Sequence, residues 1–68
     1  MERISVSSSN LVSVGYDADA MILEVEFNSG IYQYYDVPEY VHQELMSAPS
    51  IGSYLHHNVK SSFSYAQV

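Results

Sequence analysis

The sequence predicts an α+β domain in which a three-stranded antiparallel β-meander packs against two C-terminal helices. Three observations support this fold class. Apolar and polar residues alternate with a period of two between residues 21 and 35, which is typical of half-buried strands. After Pro38 the apolar spacing changes to three and four residues, which is typical of amphipathic helices. A length of 68 residues allows one domain with one thin core.

The predicted strands cover residues 10–16, 21–27 and 31–35. The second strand is the clearest, because its apolar residues alternate with Glu24 and Glu26 and so leave both carboxylates on one face. The predicted domain covers residues 1–68, and its polar start at residues 1–5 is expected to be flexible. The tail over residues 64–68 is a candidate for a short extra strand.

Register determines which tyrosines lie in the core. If Ser29 and Gly30 form a two-residue hairpin loop, Phe27 faces Tyr32, and the other apolar residues of both strands share that face. A shift by one residue would bring Gln33 onto the apolar face, so the first register is preferred. The predicted core consists of Leu23, Val25, Phe27, Tyr32, Tyr34, Val41, Leu45, Leu55 and Val59.

Two helices are predicted after the strands. Pro38 fits the first turn of a helix, and Asp36 or a neighbour is expected to cap it. That helix ends at Ala48, because the residue before a proline avoids the α region. Ser50 is expected to cap a second helix, in which apolar residues recur every four positions as far as Phe63.

Composition limits the possible partners. The net charge is −6, because eight acidic residues outnumber Arg3 and Lys60, and this balance disfavours both nucleic acids and anionic membranes. No apolar stretch approaches the roughly 20 residues that span a bilayer. The absence of cysteine excludes disulfides and thiolate-bound zinc, and it favours the cytoplasm as the location.

No residue pattern predicts catalysis or a cofactor. His56 and His57 are neighbours on a predicted helix, where adjacent side chains diverge by roughly 100°, so a shared metal is not expected. The serines lie in no glycine elbow and no triad spacing, and we therefore expect no enzyme activity. The acidic residues fit two interpretations, an ordinary solvated surface or an imitation of a phosphate array for a nucleic-acid-binding protein.

Tyr32 and Tyr34 also fit two interpretations. Two tyrosines at strand spacing on an open sheet would form a platform for stacking bases, whereas under helices they would be core. The apolar residues on the same face favour the core. Tyr35 lies on the other face with Glu24 and Glu26, and it is expected to be the more exposed aromatic residue.

An ordered set of short motifs resembles the KTSC domain, over residues 6–68. The motifs are Ser8-Ser9, Gly15-Tyr16-Asp17, Leu23-x-Val25-x-Phe27-x-x-Gly30, Tyr32-x-Tyr34, Val37-Pro38, Ala48-x-Ser50-x-Gly52-x-Tyr54 and Val59-Lys60. That family is found at the C-terminus of some lysyl-tRNA synthetases and as short stand-alone proteins. The resemblance implies no catalytic residues, and RNA binding has been suggested for the family.

This chain departs from the family pattern in its last helix and tail. His56 and Lys60 stand where the family commonly has asparagine and arginine, and residues 61–67 carry no basic side chain. We therefore expect a small non-catalytic binding module with a protein partner, and RNA or another nucleic acid as the alternative. The candidate binding residues are Tyr32, Tyr34, Tyr35, His56 and Lys60. A homo-oligomer is also compatible with a short sheet that has open edges.

Overall fold

One antiparallel sheet of five strands, covered on one face by two helices, forms the domain. The computed structural model describes residues 1–68. Spatial order follows chain order, β1-β2-β3-β4-β5. The elements are β1 (Arg3–Ser5), β2 (Leu11–Asp17), β3 (Ile22–Phe27), β4 (Gly30–Tyr34), α1 (Glu39–Ser47), α2 (Ile51–Asn58) and β5 (Tyr65–Gln67). Neither helix is long and apolar enough to cross a membrane.

The α+β class is confirmed, whereas the predicted number of three strands is wrong. The additional strands are β1 and β5, one at each edge of the sheet, and each contains three residues. Three residues are too few to show an alternation of apolar and polar side chains. β1 places part of the segment 1–5, which was expected to be flexible, in register with β2. The suggested strand in the tail corresponds to β5.

The core lies between the helices and the sheet. Ten hydrophobic residues are buried there: Leu11, Val14, Leu23, Val25, Tyr34, Val37, Val41, Leu45, Leu55 and Val59. Seven of the nine predicted core residues are among them. The other two, Phe27 and Tyr32, are only partly buried and pack against the rim of the cluster. The helices therefore leave one corner of this sheet face open.

The β3–β4 hairpin keeps the predicted faces but not the predicted partners. Its loop is Asn28-Ser29, so Phe27 pairs with Gly30 and Val25 pairs with Tyr32. This register differs from the predicted one by two residues, and a shift by two leaves every side chain on its own face. Gly30 has a φ of 151°, and a Cβ there would lie 2.6 Å from Nε2 of Gln67. The positive φ favours glycine at this position, whereas the flexible end of the Gln67 side chain could move away from a Cβ.

The helix ends follow the prediction in part. The N-cap of α1 is Pro38, which makes no side-chain capping bond, so the expected cap by Asp36 is wrong. Asp36 instead takes a left-handed conformation, with a φ of 58°, in the turn before Pro38. Ser50 caps α2 as predicted, because its side chain accepts a hydrogen bond from the backbone N–H of Ser53. Phe63 lies beyond the end of α2.

Candidate functional site

The open corner of the sheet forms an aromatic groove. We use this name for the depression lined by Phe27, Ser29, Tyr32, Tyr34, Lys60 and Tyr65. Its aromatic residues come from three adjacent strands. Tyr32 and Tyr34 are two residues apart on β4, and Tyr34 lies directly opposite Tyr65 of β5. The period of two along each strand therefore places all of these rings on the face that the helices partly cover.

The rings of the aromatic groove contact one another in a continuous cluster. Phe27 meets Tyr32 edge to face with ring centroids 5.4 Å apart, and Tyr65 lies 6.1 Å from Tyr32 and 5.7 Å from Tyr34. Such separations are favourable for aromatic pairs. The depression has a volume of about 280 Å³. It is large enough for one side chain or one planar ring.

Burial differs strongly along the aromatic groove. Tyr34 forms the floor with 3% of its surface exposed, Tyr32 is half-buried, and Tyr65 stands at the rim with 59% exposed. Burial raises the pKa of the Tyr34 hydroxyl, and the neighbouring Tyr65 and Tyr32 add to that rise. The hydroxyl of Tyr34 on the floor of the groove therefore stays protonated and neutral at neutral pH.

Lys60 supplies the only positive charge of the aromatic groove. It lies two residues beyond the end of α2, and its Nζ is 5.1 Å from the centre of the Phe27 ring, a cation–π distance. His56, one helical turn earlier, shares with Lys60 a second, more polar recess of about 340 Å³ that Asn28 and Ser29 also line. No three histidine, aspartate or glutamate side chains converge on a point where they could hold a metal ion.

The structure thus brings together four of the five predicted binding residues. Tyr32, Tyr34 and Lys60 share the aromatic groove, and His56 lies in the adjoining recess. Tyr35 lies apart on the opposite face, where its hydroxyl donates to Oε1 of Gln33 over 3.2 Å. That face is the one predicted for it, although Tyr35 is half-buried there rather than clearly exposed.

Sequence reasoning missed two walls of the aromatic groove. The sequence pattern places Phe27 in the core and predicts no role for Tyr65. The alternation of Phe63, Tyr65 and Gln67 with small or polar residues is compatible with a strand, which is the only available signal. Nothing in that alternation identifies β4 as the partner strand, so the position of Tyr65 beside Tyr34 requires the structure.

The opposite face of the sheet carries a polar network that engages the second basic residue. Arg3 forms an ion pair with Glu24, and its Nε donates to Oγ of Ser13 over 2.9 Å. Ser13 in turn donates to Oε1 of Glu26, also over 2.9 Å. Nε2 of Gln33 donates to the other oxygen of Glu24 over 2.9 Å. Arg3 is therefore part of the sheet, and its charge is offset by two carboxylates.

The chain matches one family model and is similar to several known proteins. The family model of the KTSC domain matches residues 7–63. An uncharacterized protein of Stutzerimonas stutzeri is 51% identical over 53 residues, which cover 76% of this chain and 75% of that protein. The lysine–tRNA ligase of Trichormus variabilis is 43% identical over 54 residues. The match covers 78% of this chain but only 10% of the ligase, so the ligase consists mostly of sequence that has no counterpart here.

A solved structure agrees with the family model. The crystal structure of a KTSC domain protein from Yersinia pestis superposes with a TM-score of 0.96 at 43% sequence identity. The superposition covers 98% of this chain and 96% of that one. The family model and the superposition therefore agree, and each covers most of this chain. The chain belongs to the KTSC domain family.

Proposed function

We propose that this chain is a non-catalytic binding module that docks a protein partner through the aromatic groove. The observation that carries the proposal is the open aromatic cluster itself. Tyr65, with 59% of its surface exposed, stands over a groove whose floor is the buried Tyr34. Tyrosine and phenylalanine dominate the energetics of protein interfaces, because they offer a large contact area at a low cost in side-chain entropy.

Charge favours a protein over a nucleic acid as the partner. The chain has eight acidic and two basic residues. Arg3 is engaged by Glu24 and Glu26 on the far face, and Lys60 alone adjoins the aromatic groove. Nucleic-acid affinity grows with the number of phosphates that free cations neutralise, and one lysine neutralises one phosphate. A protein segment without net negative charge needs no such cations, and the carboxylates of this chain do not repel it.

RNA is the second candidate, and two observations favour it. Half-buried and exposed tyrosines with a cation beside them resemble a base-stacking platform. Three of the similar proteins are lysine–tRNA ligases, whose substrate includes an RNA. Stacking on one exposed ring contributes roughly 1–3 kcal/mol, which alone reaches no better than millimolar affinity. The expected RNA binding is therefore weak unless a specific RNA shape supplies further contacts.

Tryptophan fluorescence offers a direct test of the aromatic groove. The chain contains no tryptophan, so the emission of a capped peptide with one tryptophan among lysine and threonine residues reports on the peptide alone. We expect the emission to shift to shorter wavelength as the indole enters the groove, and the Tyr65→Ala variant to bind about tenfold more weakly. That loss corresponds to roughly 1.4 kcal/mol, within the range for an aromatic pair plus its buried area.

Tyr40 provides a matched control on another surface. It is a tyrosine with 60% of its surface exposed, on α1, and it does not line the aromatic groove. We expect Tyr40→Ala to bind the peptide like the wild type. The proposal is contradicted if Tyr65→Ala and Tyr40→Ala bind equally well, or if an unlabelled peptide with alanine in place of tryptophan displaces the original peptide as effectively as an unlabelled copy of the original does.

A further inference from the structure

The geometry points to the way in which the partner binds: we propose that an extended, positively charged protein segment adds to the sheet as a sixth strand beside β5. This inference rests on the proposed function and specifies it. It predicts backbone pairing along Tyr65 and Gln67, with one neutral apolar side chain of the segment seated in the aromatic groove. Strand addition of this type gives affinity through main-chain hydrogen bonds and specificity through alternate side chains.

β5 has free backbone groups along the edge of the sheet. β5 is the last strand of the sheet, and all three of its residues are exposed. The carbonyl of Ser64 accepts a hydrogen bond from Tyr35, and the N–H of Val68 donates to Ile31, each over 2.9 Å. Backbone groups of alternate residues point to the same side in a strand. The N–H and C=O groups of Tyr65 and Gln67 therefore point away from β4, toward solvent.

The free edge of β5 and the aromatic groove lie side by side. Tyr65 lies opposite Tyr34, and Gln67 lies opposite Tyr32, so both side chains of β5 that adjoin the free backbone groups are on the groove face. A segment that pairs with β5 has every second side chain on the same face. Backbone pairing at Tyr65 thus carries a partner side chain directly toward the aromatic groove.

The opposite edge of the sheet, β1, is less suited to accept a strand. β1 is also an outer strand, but its Ile4 pairs with the buried Val14, and no residue of β1 lines the aromatic groove. Its Arg3 is held across the sheet by Glu24 and Ser13. A charged residue on an edge strand discourages pairing with another chain. Of the two edges, β5 is therefore the one suited to accept a strand.

Charge favours a bound segment that is positively charged overall and that places a neutral side chain in the aromatic groove. Six carboxylates have no basic partner in the structure: Glu2, Asp17, Asp19, Asp36, Glu39 and Glu44. Together with the net charge of −6 they attract a basic segment and speed its encounter. Lys60 at the groove repels a cationic side chain there, which leaves an aromatic or branched aliphatic one. A second copy of this chain would instead bring two charges of −6 together.

Gln67 allows a substitution that separates backbone pairing from side-chain contact. Gln67→Pro removes an N–H that points to the free edge and leaves the hydrogen bonds between β4 and β5 intact, and proline is tolerated on an edge strand. Gln67→Ala removes the same side chain and keeps the N–H. With the tryptophan-lysine peptide as the probe, we expect Gln67→Ala to bind like the wild type and Gln67→Pro to bind roughly tenfold more weakly.

Hydrogen exchange on the wild-type chain tests the same pairing without a substitution. We expect saturating peptide to slow exchange at the amides of Tyr65 and Gln67. The amide of Val68, which already donates to Ile31, should change little. A peptide in which glutamate replaces lysine should bind more weakly at low salt, and the difference should shrink as salt screens it.

Two results would overturn strand addition while the proposed function stands. One is equal peptide affinity of Gln67→Pro and Gln67→Ala although Tyr65→Ala still weakens binding. The other is binding of the peptide with no new protection at Tyr65 and Gln67. Absence of any peptide binding that depends on Tyr65 would instead contradict the proposed function, and strand addition with it.

Discussion

Glu24 lies on the sheet face without helices, and its neighbours there stabilise its charged form. Only 8% of its surface is exposed, and its two carboxylate oxygens bind Arg3 and Gln33. The hydrogen bond from Gln33 lowers the pKa of Glu24 below its ordinary value of 4.5, and Arg3 lowers it further, whereas burial opposes both effects. The ionised form of Glu24 is therefore favoured, and its carboxylate links β3 to β1 through Arg3 and to β4 through Gln33.

The lowered pKa of Glu24 predicts a loss of stability in acid. Because its folded-state pKa lies below the unfolded value, the ionised carboxylate stabilises the fold at pH values above the unfolded pKa. This contribution is lost as the pH falls from about 4.5 through the folded pKa. We expect Glu24→Gln to flatten the decline of the melting temperature between roughly pH 5 and pH 3.

Glu2→Gln is the matched control for this pH dependence. The side chain of Glu2 is exposed and makes no hydrogen bond or ion pair, so its removal should leave the acid decline of the wild type unchanged. Melting curves recorded by circular dichroism at several pH values provide the comparison. The same acid slope in Glu24→Gln and in the wild type would show that this carboxylate does not stabilise the fold as argued.

Among the elements, β1 depends on the absence of a side chain at Gly15. A Cβ at that position would lie 2.6 Å from the carbonyl oxygen of Glu2 and 3.0 Å from Cγ of Arg3. The first contact is with backbone and can be relieved only by displacing β1. We expect Gly15→Ala to destabilise the fold by about 1–3 kcal/mol, measured by urea unfolding.

Gly52 gives the opposite expectation from the same substitution. It lies in the first turn of α2, and a Cβ there would make an ordinary contact of 3.5 Å with Oγ of Ser8. Gly52→Ala should therefore stabilise the domain by up to about 1 kcal/mol, because alanine loses less backbone entropy in a helix. Equal changes in stability for the two alanine variants would contradict this account of β1.

The same elements explain which parts of the fold could be predicted from the sequence. The strands β3 and β4 and both helices carry a clear period, and Pro49 and Ser50 mark the helix boundary chemically. β1 and β5 are too short for a period and are defined by pairing with distant residues. The predicted hairpin loop lies one residue too late in the chain, which shifts the strand pairing by two residues. Both pairings leave the same side chains on the apolar face, so the sequence pattern does not distinguish them.

The candidate site could be predicted less completely than the core for a related reason. Tyr32 and Tyr34 were recognised from their spacing, but whether they were core or platform depended on how far the helices extend over the sheet. The structure gives each a different role, since Tyr34 is buried and Tyr32 is half-buried. Tyr65 completes the aromatic groove only through the pairing of β5 with β4.

At the scale of the whole molecule, the charge distribution separates the two faces of the sheet. The face without helices neutralises Arg3 with Glu24 and Glu26, and the helix face leaves Lys60 beside the aromatic groove. The remaining surface is acidic, with a net charge of −6 for the chain. Self-association and binding to unselected nucleic acid are both opposed by this charge, whereas a basic protein segment is attracted.

A chemical-shift map of the labelled chain tests the central claim most directly, because it locates a ligand residue by residue. The tryptophan-lysine peptide and a mixed-sequence RNA oligonucleotide would be titrated separately at about 150 mM salt, near physiological ionic strength. We expect the peptide to shift the amides of Phe27, Tyr32 and Tyr65, and the RNA to shift none of them. Micromolar RNA binding that shifts these amides and is lost in Lys60→Ala, with no response to the peptide, would contradict the claim.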